Sequence, residues 1–206
     1  MPRPHRIEYP GAWHHVMNRR AAREPLFFDD NDRFTFLELL EGNASRTDTE
    51  VHAYCLMGNH FHLLVRSPNA NLAYMMQLVS GRYGRYFNDR YGRDGGVCRG
   101  RYRSVLVDSD HYLLAVSRYI HRNPLAFWTD PLESYGWSSY PTYLGLRRRQ
   151  HWIHTAMTLD VAGGVASYRG LVESPLPSDV DRIYGSGRVP KVLGKRSRAE
   201  SIQQGV

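Results

Sequence analysis

Apolar residues recur along this chain in two rhythms, one of period two and one near 3.6, and their order predicts its elements. Residues 12–20, AWHHVMNRR, read as a first strand. In FFDDNDRFTFLELLEGNASR, Phe34, Leu37 and Leu40 form a helical stripe; Asp29 or Asp30 supplies a cap, and Gly42 or Asn43 a stop. Val51, Ala53, Cys55 and Met57 then alternate through residues 49–57. Gly58-Asn59 offers a tight link into HFHLLVRS, so the two segments form a hairpin. Within residues 71–92, Leu72, Met75, Met76, Val79, Tyr83, Tyr86 and Phe87 return at helical spacing. A glycine-rich link leads to a fourth strand over 101–109, RYRSVLVDS. A third helix follows over 108–124, capped by Asp108, Ser109 or Asp110 and ended by Pro124.

The order β-α-β-β-α-β-α contains, in its first six elements, the split-βαβ arrangement. The expected fold is α+β and ferredoxin-like: an antiparallel sheet with helices on one face, plus an extra third helix. After about residue 125 the pattern loosens, a helical patch returns near 155–172, and from about 174 Pro, Gly, Ser and basic residues suggest a flexible basic tail. The expected division is one domain over 1–145 and an extension over 146–206. No run approaches the roughly 20 apolar residues of a membrane span and the start has no signal-peptide core, so no membrane partner is expected.

Charge adds a partner class. The chain carries 27 Lys+Arg against 20 Asp+Glu, a formal net charge of +7. Only Lys191 and Lys195 are lysines, which leaves 25 arginines beside 14 tyrosines. Guanidinium groups grip phosphate bidentately and stack on bases, so this surface suits nucleic acid. A genome that favours arginine codons accounts for the skew equally well. Cys55 and Cys98 share no CxxC spacing, which argues against a disulfide scaffold or a cysteine zinc site.

Two places carry chemistry. His60 and His62 interrupt the apolar stretch LMGNHFHLLV; on a strand they share one face, while Phe61 points to the other. Two adjacent imidazoles can clamp a metal, though such a pair is common without one. In SRYIHRNP, Tyr119 and Asn123 are one helical turn apart and face the same way. A tyrosine hydroxyl, with a reference pKa near 10, attacks phosphorus only with help; a divalent cation on the phosphate would provide it. Two imidazoles and an amide oxygen leave an oxygen-rich remainder, which suits Mg²⁺ or Mn²⁺. Spacing alone favours Tyr119 as a packed residue of an amphipathic helix. His121 projects away from Tyr119 and is no ligand candidate; the adjacent His14 and His15 point to opposite faces and cannot readily chelate one ion together, which leaves one of them to reach the site or DNA, with a structural role favoured.

MGNHFHLLV followed by RYIHRNP resembles the single-tyrosine HUH transposases, most closely their REP-associated branch. GAWHHVMNR, GRYGRYFNDRYGRDGGV, GRYRSVLVDSDHYLLAVSRYIHRNPLA and GWSSYPTYLG extend the likeness over about residues 5–145. The resemblance implies His60, His62 and Asn123 as metal ligands and Tyr119 as nucleophile. It implies metal-dependent transesterification of single-stranded DNA through a 5′-phosphotyrosine, at a REP-type hairpin with a short flanking sequence. It further implies a cytoplasmic, nucleoid-associated protein, with a monomer preferred to a homodimer. A non-catalytic hairpin-binding module and a metal-dependent RNA nuclease stay open as alternatives.

Candidate DNA contacts are Arg99, Arg101 and Arg103, which share one face if extended, with Arg82 and Arg85 on the second helix. Arg6, Arg19 and Arg20, together with Arg3 and the run 147–152, complete the set.

Overall fold

The computed structural model describes residues 7–147, 150–185 and 189–194. Its hairpin is β2 (Glu50–Leu56) and β3 (His60–Ser67); β1 (Ala12–Arg19) pairs antiparallel with β3 and with β4 (Arg103–Asp108). A short β5 (Val192–Gly194) adds to β4 in parallel, giving the order β2-β3-β1-β4-β5. The four main strands are thus antiparallel in the ferredoxin-like order, and the complete sheet is mixed. Gly194 lets β5 lie this close: its φ is +128°, and a Cβ there would meet the Asp108 carbonyl oxygen at 2.9 Å.

Helices α1 (Asp30–Arg46) and α2 (Leu72–Tyr91) cover one face, packing on Val16, Phe61, Leu63 and Val65. On the opposite face α3 (Asp110–Arg122) places Leu113, Val116 and Ile120 on Ala53, Cys55, Leu64, Val105 and Val107. Burial on both faces explains why β3 reads as a nearly continuous apolar run. Each such side chain taken fully from water contributes about 1.5–3 kcal/mol.

Asp29 caps α1 by accepting from the Asp32 amide, and Ser109 caps α3 by accepting from the Tyr112 amide. Helix α1 runs past the expected stop at Gly42 or Asn43. Asn43 spends its side chain on the Leu39 carbonyl (2.6 Å), and Ala44 is drawn into the core. Helix α2 ends at Gly92, in the left-handed conformation at φ 58°.

The region after residue 125 is more structured than expected. It holds α4 (Tyr140–Tyr143), α5 (Ala156–Ala162), α6 (Val165–Glu173) and α7 (Ser178–Gly185). Gly163-Gly164 breaks the expected helical patch into α5 and α6, and Ile153, Ala162, Tyr168 and Val172 join the same core as α1 and α2. Part of the segment read as a flexible tail is α7 and β5. No helix among the described residues is long and apolar enough to cross a membrane.

Candidate active site

The hairpin turn sets the two histidines. The Met57 amide donates to the His60 carbonyl (2.8 Å), and the Leu26 and Phe27 amides pin the Gly58 carbonyl (2.8 and 3.2 Å). Phe61 enters the α1/α2 core against Phe36, at 4.8 Å between ring centroids. His60 and His62 stand on the other face, 5.1 Å apart, in a cleft of about 840 Å³.

Tyr119 of α3 meets them there, edge-on to His62 at 5.5 Å. One turn later Asn123 donates Nδ2–H to the Tyr119 carbonyl (2.8 Å), which leaves its Oδ1 out of that bond. Its side chain interacts with both the His60 ring and the Tyr119 hydroxyl. His60 Nδ1 lies 2.6 Å from Asn59 Oδ1. An amide oxygen only accepts, so the His60 proton sits on Nδ1 and Nε2 keeps a bare lone pair.

Burial makes these imidazoles neutral. It lowers His60, with the Arg19 charge adding to it and Asn123 opposing it. It lowers His62 well below the usual range, with the neighbouring His15 and His60 adding to the effect. Burial also raises the Tyr119 hydroxyl, against the pull of Asn123, so the unassisted phenol stays protonated. Among the described residues no three His, Cys, Asp or Glu side chains converge as a metal site. The trio that does converge is two neutral imidazoles and an amide oxygen. Its donors fit a divalent ion that keeps further oxygen ligands, because each is uncharged and has one donor atom open.

The cleft is basic. Arg19, Arg23, Arg99, Arg101 and Arg103 line it, and among the described residues no acidic side chain does. Asn18 Nδ2 donates to the Gly100 carbonyl (3.1 Å) and the Arg99 amide to the Arg19 carbonyl (2.9 Å), which ties the 99–103 loop to the end of β1. Arg99, Arg101 and Arg103 are exposed while Tyr102 is buried, so the arginines do share a face, although β4 starts only at Arg103.

Other candidates sit elsewhere. Arg20 is buried over the Phe87 ring (4.7 Å), bridges Glu24 at 2.9 Å and donates to the Pro25 carbonyl. It is part of the packing and is not free to meet DNA. Arg82 and Arg85 are exposed on the outer side of α2, across the sheet from the histidines. Arg3 and Arg6 lie outside the described residues, as do Arg148 and Arg149 of the 147–152 run. His121 faces inward between Ser139 and Tyr168 (both 2.8 Å).

Residues 9–123 match the profile of the family described as "Transposase IS200 like". The chain belongs to the IS200-like transposase family. No curated protein matches it. Among solved structures, a REP-associated tyrosine transposase bound to a REP hairpin shares its fold at TM-score 0.58 and 16% identity, over 72% of this chain and 90% of that one. A candidate transposase from Deinococcus radiodurans R1 aligns at TM-score 0.41 and 16% identity, over 59% and 97%, too distant to carry an argument. The family match ends at Asn123 and so covers both histidines and Tyr119.

Two further neighbours complete the site in this transposase-family sequence, of which the chain's local pattern offers only His15, as one of two alternatives. His15 touches His62, and Tyr184 of α7 stacks on Tyr119. The β1–β3 register, with Met17 opposite His62 and His15 opposite Leu64, puts His15 on the face of His62. That pairing was the available signal for His15; nothing in the local pattern marks Tyr184. Arg23, in a short turn after β1, also escaped notice.

Proposed function

We propose that the protein cleaves and rejoins single-stranded DNA at a hairpin-bearing site through a covalent Tyr119–DNA intermediate, with His60, His62 and Asn123 holding Mg²⁺ or Mn²⁺. The observation that carries this reading is the meeting of Tyr119 with two neutral histidines, Asn123 beside them, at a cleft that among the described residues is lined by five arginines and no carboxylate. When bound, the ion would polarise the scissile phosphate as a Lewis acid.

The arginine rim holds the DNA backbone and aligns the phosphate with the Tyr119 oxygen. The Tyr119 oxygen forms a bond to phosphorus as the bond from phosphorus to the 3′ oxygen breaks. The phenolic proton passes to solvent and the departing oxygen takes one up as the free 3′-OH. A 5′-phosphotyrosine remains. Attack by another 3′-OH reverses the sequence and rejoins strands, with the phosphodiester's free energy kept in the intermediate. Hairpin DNA is supported as substrate by the fold shared with the hairpin-bound structure.

The test is incubation of the protein with labelled single-stranded hairpin DNA and Mn²⁺ on a denaturing gel, beside Tyr119→Phe. A covalent adduct that requires metal and vanishes in the variant is expected. If wild type binds the hairpin yet gives neither adduct nor cleavage, a non-catalytic hairpin-binding module replaces this reading.

A further inference from the structure

His15 is fully buried, and both of its ring nitrogens are engaged. Nε2 lies 2.9 Å from His62 Nδ1 and Nδ1 lies 2.6 Å from the Tyr184 hydroxyl. A buried imidazole without partners would be costly, and here the partner is a second buried imidazole. The engagement leaves His62 with one open nitrogen, Nε2. Tyr184 makes a second contact: its ring is stacked on Tyr119 at 3.8 Å, tilted by 13°. A single residue of α7 therefore touches both the proposed nucleophile and the support of a proposed ligand.

We propose that His15 and Tyr184 are positioning residues: the chain His62–His15–Tyr184 fixes the tautomer and ring plane of His62, and the Tyr184 ring fixes the plane of Tyr119. The inference rests on the reading of His60, His62 and Asn123 as metal ligands. If Nε2 of His62 is a ligand atom, its single proton must sit on Nδ1. His62 Nδ1–H then donates to His15 Nε2, and His15 Nδ1–H donates to the Tyr184 oxygen. Every buried nitrogen of the pair is satisfied in this arrangement, and a lone pair is held toward the cleft. His60 is oriented separately, by Asn59, so the two proposed ligands are braced from different parts of the chain. Such outer partners hold a ligand's ring and raise its basicity, and their loss typically weakens metal binding about 10–100-fold.

The experiment uses the full chain and measures Mn²⁺ binding to the protein alone, following free Mn²⁺ by electron paramagnetic resonance. His15→Phe keeps the ring volume and removes both hydrogen bonds; it is expected to weaken Mn²⁺ binding about 10–100-fold. His15→Gln, whose Oε1 can accept from His62 Nδ1–H, should recover most of that loss. Tyr184→Phe keeps the stack, loses only the hydroxyl and sits on a partly exposed helix, so it is the variant that folds if His15→Phe does not. It should weaken binding in the same direction by less. Adduct formation at saturating Mn²⁺ then separates stacking from metal support, with Tyr184→Ala slower than Tyr184→Phe.

Wild-type Mn²⁺ affinity in both His15→Phe and Tyr184→Phe would overturn the relay while leaving the metal reading intact. Faster adduct formation by Tyr184→Ala would overturn the positioning role and make Tyr184 a cover over the nucleophile. Absence of Mn²⁺ binding by wild type would remove the metal reading, and the relay with it.

Discussion

The two faces of the sheet each carry a buried polar cluster, and the clusters are finished differently. Between α1 and α2, Asp32 is 0% exposed and its two oxygens are saturated. Oδ1 accepts from Arg90 (2.7 Å), Tyr86 (3.0 Å) and Tyr91 (3.1 Å). Oδ2 accepts from the Phe28 amide (2.7 Å) and Tyr91 (2.9 Å). On the α3 face, His60 and His62 each have one nitrogen tied down and the other open to an arginine-lined cleft. Saturation marks a cluster that holds structure, and a deliberate remainder marks one that can take a ligand.

Breaking the saturated cluster should show most in stability. Asp32→Ala takes the acceptor from the Phe28 amide and the Tyr86 and Tyr91 hydroxyls while Arg90 keeps Asp29 (2.6 Å), and a loss of about 1–3 kcal/mol is expected in urea unfolding. Adduct formation per folded molecule should not change, because the cleft lies across the sheet. On the open side, Arg99→Gln with Arg101→Gln should leave stability within about 0.5 kcal/mol. The same pair should lower the salt dependence of single-stranded DNA binding by roughly 0.7 per lost phosphate contact, read from affinities over a range of salt. Ser109→Ala removes the cap of the helix that carries Tyr119. About 1 kcal/mol of stability should go, measured by thermal unfolding, with the adduct still formed at low temperature. The smallest effect sharpens the comparison most: Arg82→Gln with Arg85→Gln, on the wrong side of the sheet, should leave the salt slope of hairpin binding as in wild type.

The saturated cluster was hardly legible in the sequence, because Asp32 and Arg90 are 58 residues apart and either one alone reads as a solvated helix charge. The open cluster was legible where its parts are local. His60 and His62 share a face through strand alternation, and Tyr119 and Asn123 through the helical turn. Their meeting follows from α3 crossing the second face, which no local spacing shows. Arg20 misled for a related reason: next to the exposed Arg19 it reads as free charge, yet strand alternation turns it inward over Phe87. Tyr184 lay beyond reach because Pro- and Ser-rich flanks hide a two-turn helix whose place is set by tertiary packing. Polar composition describes a segment's solvent affinity, and it does not reveal a single aromatic ring that docks.

The contact between His15 and Tyr184 spans 169 residues, while the hairpin that presents His60 and His62 closes over a four-residue turn. Loops of such unequal length close in sequence, the short one early and the long one late. Strands β1 to β4 and helix α3 can therefore settle before α7 arrives, with the Tyr119 ring still uncovered. A chain interrupted between residues 123 and 184 would carry the two histidines and the tyrosine without the ring that packs on Tyr119. The arrangement at the heart of the cleft is in this sense a reading of the whole chain, assembled last from its most distant parts.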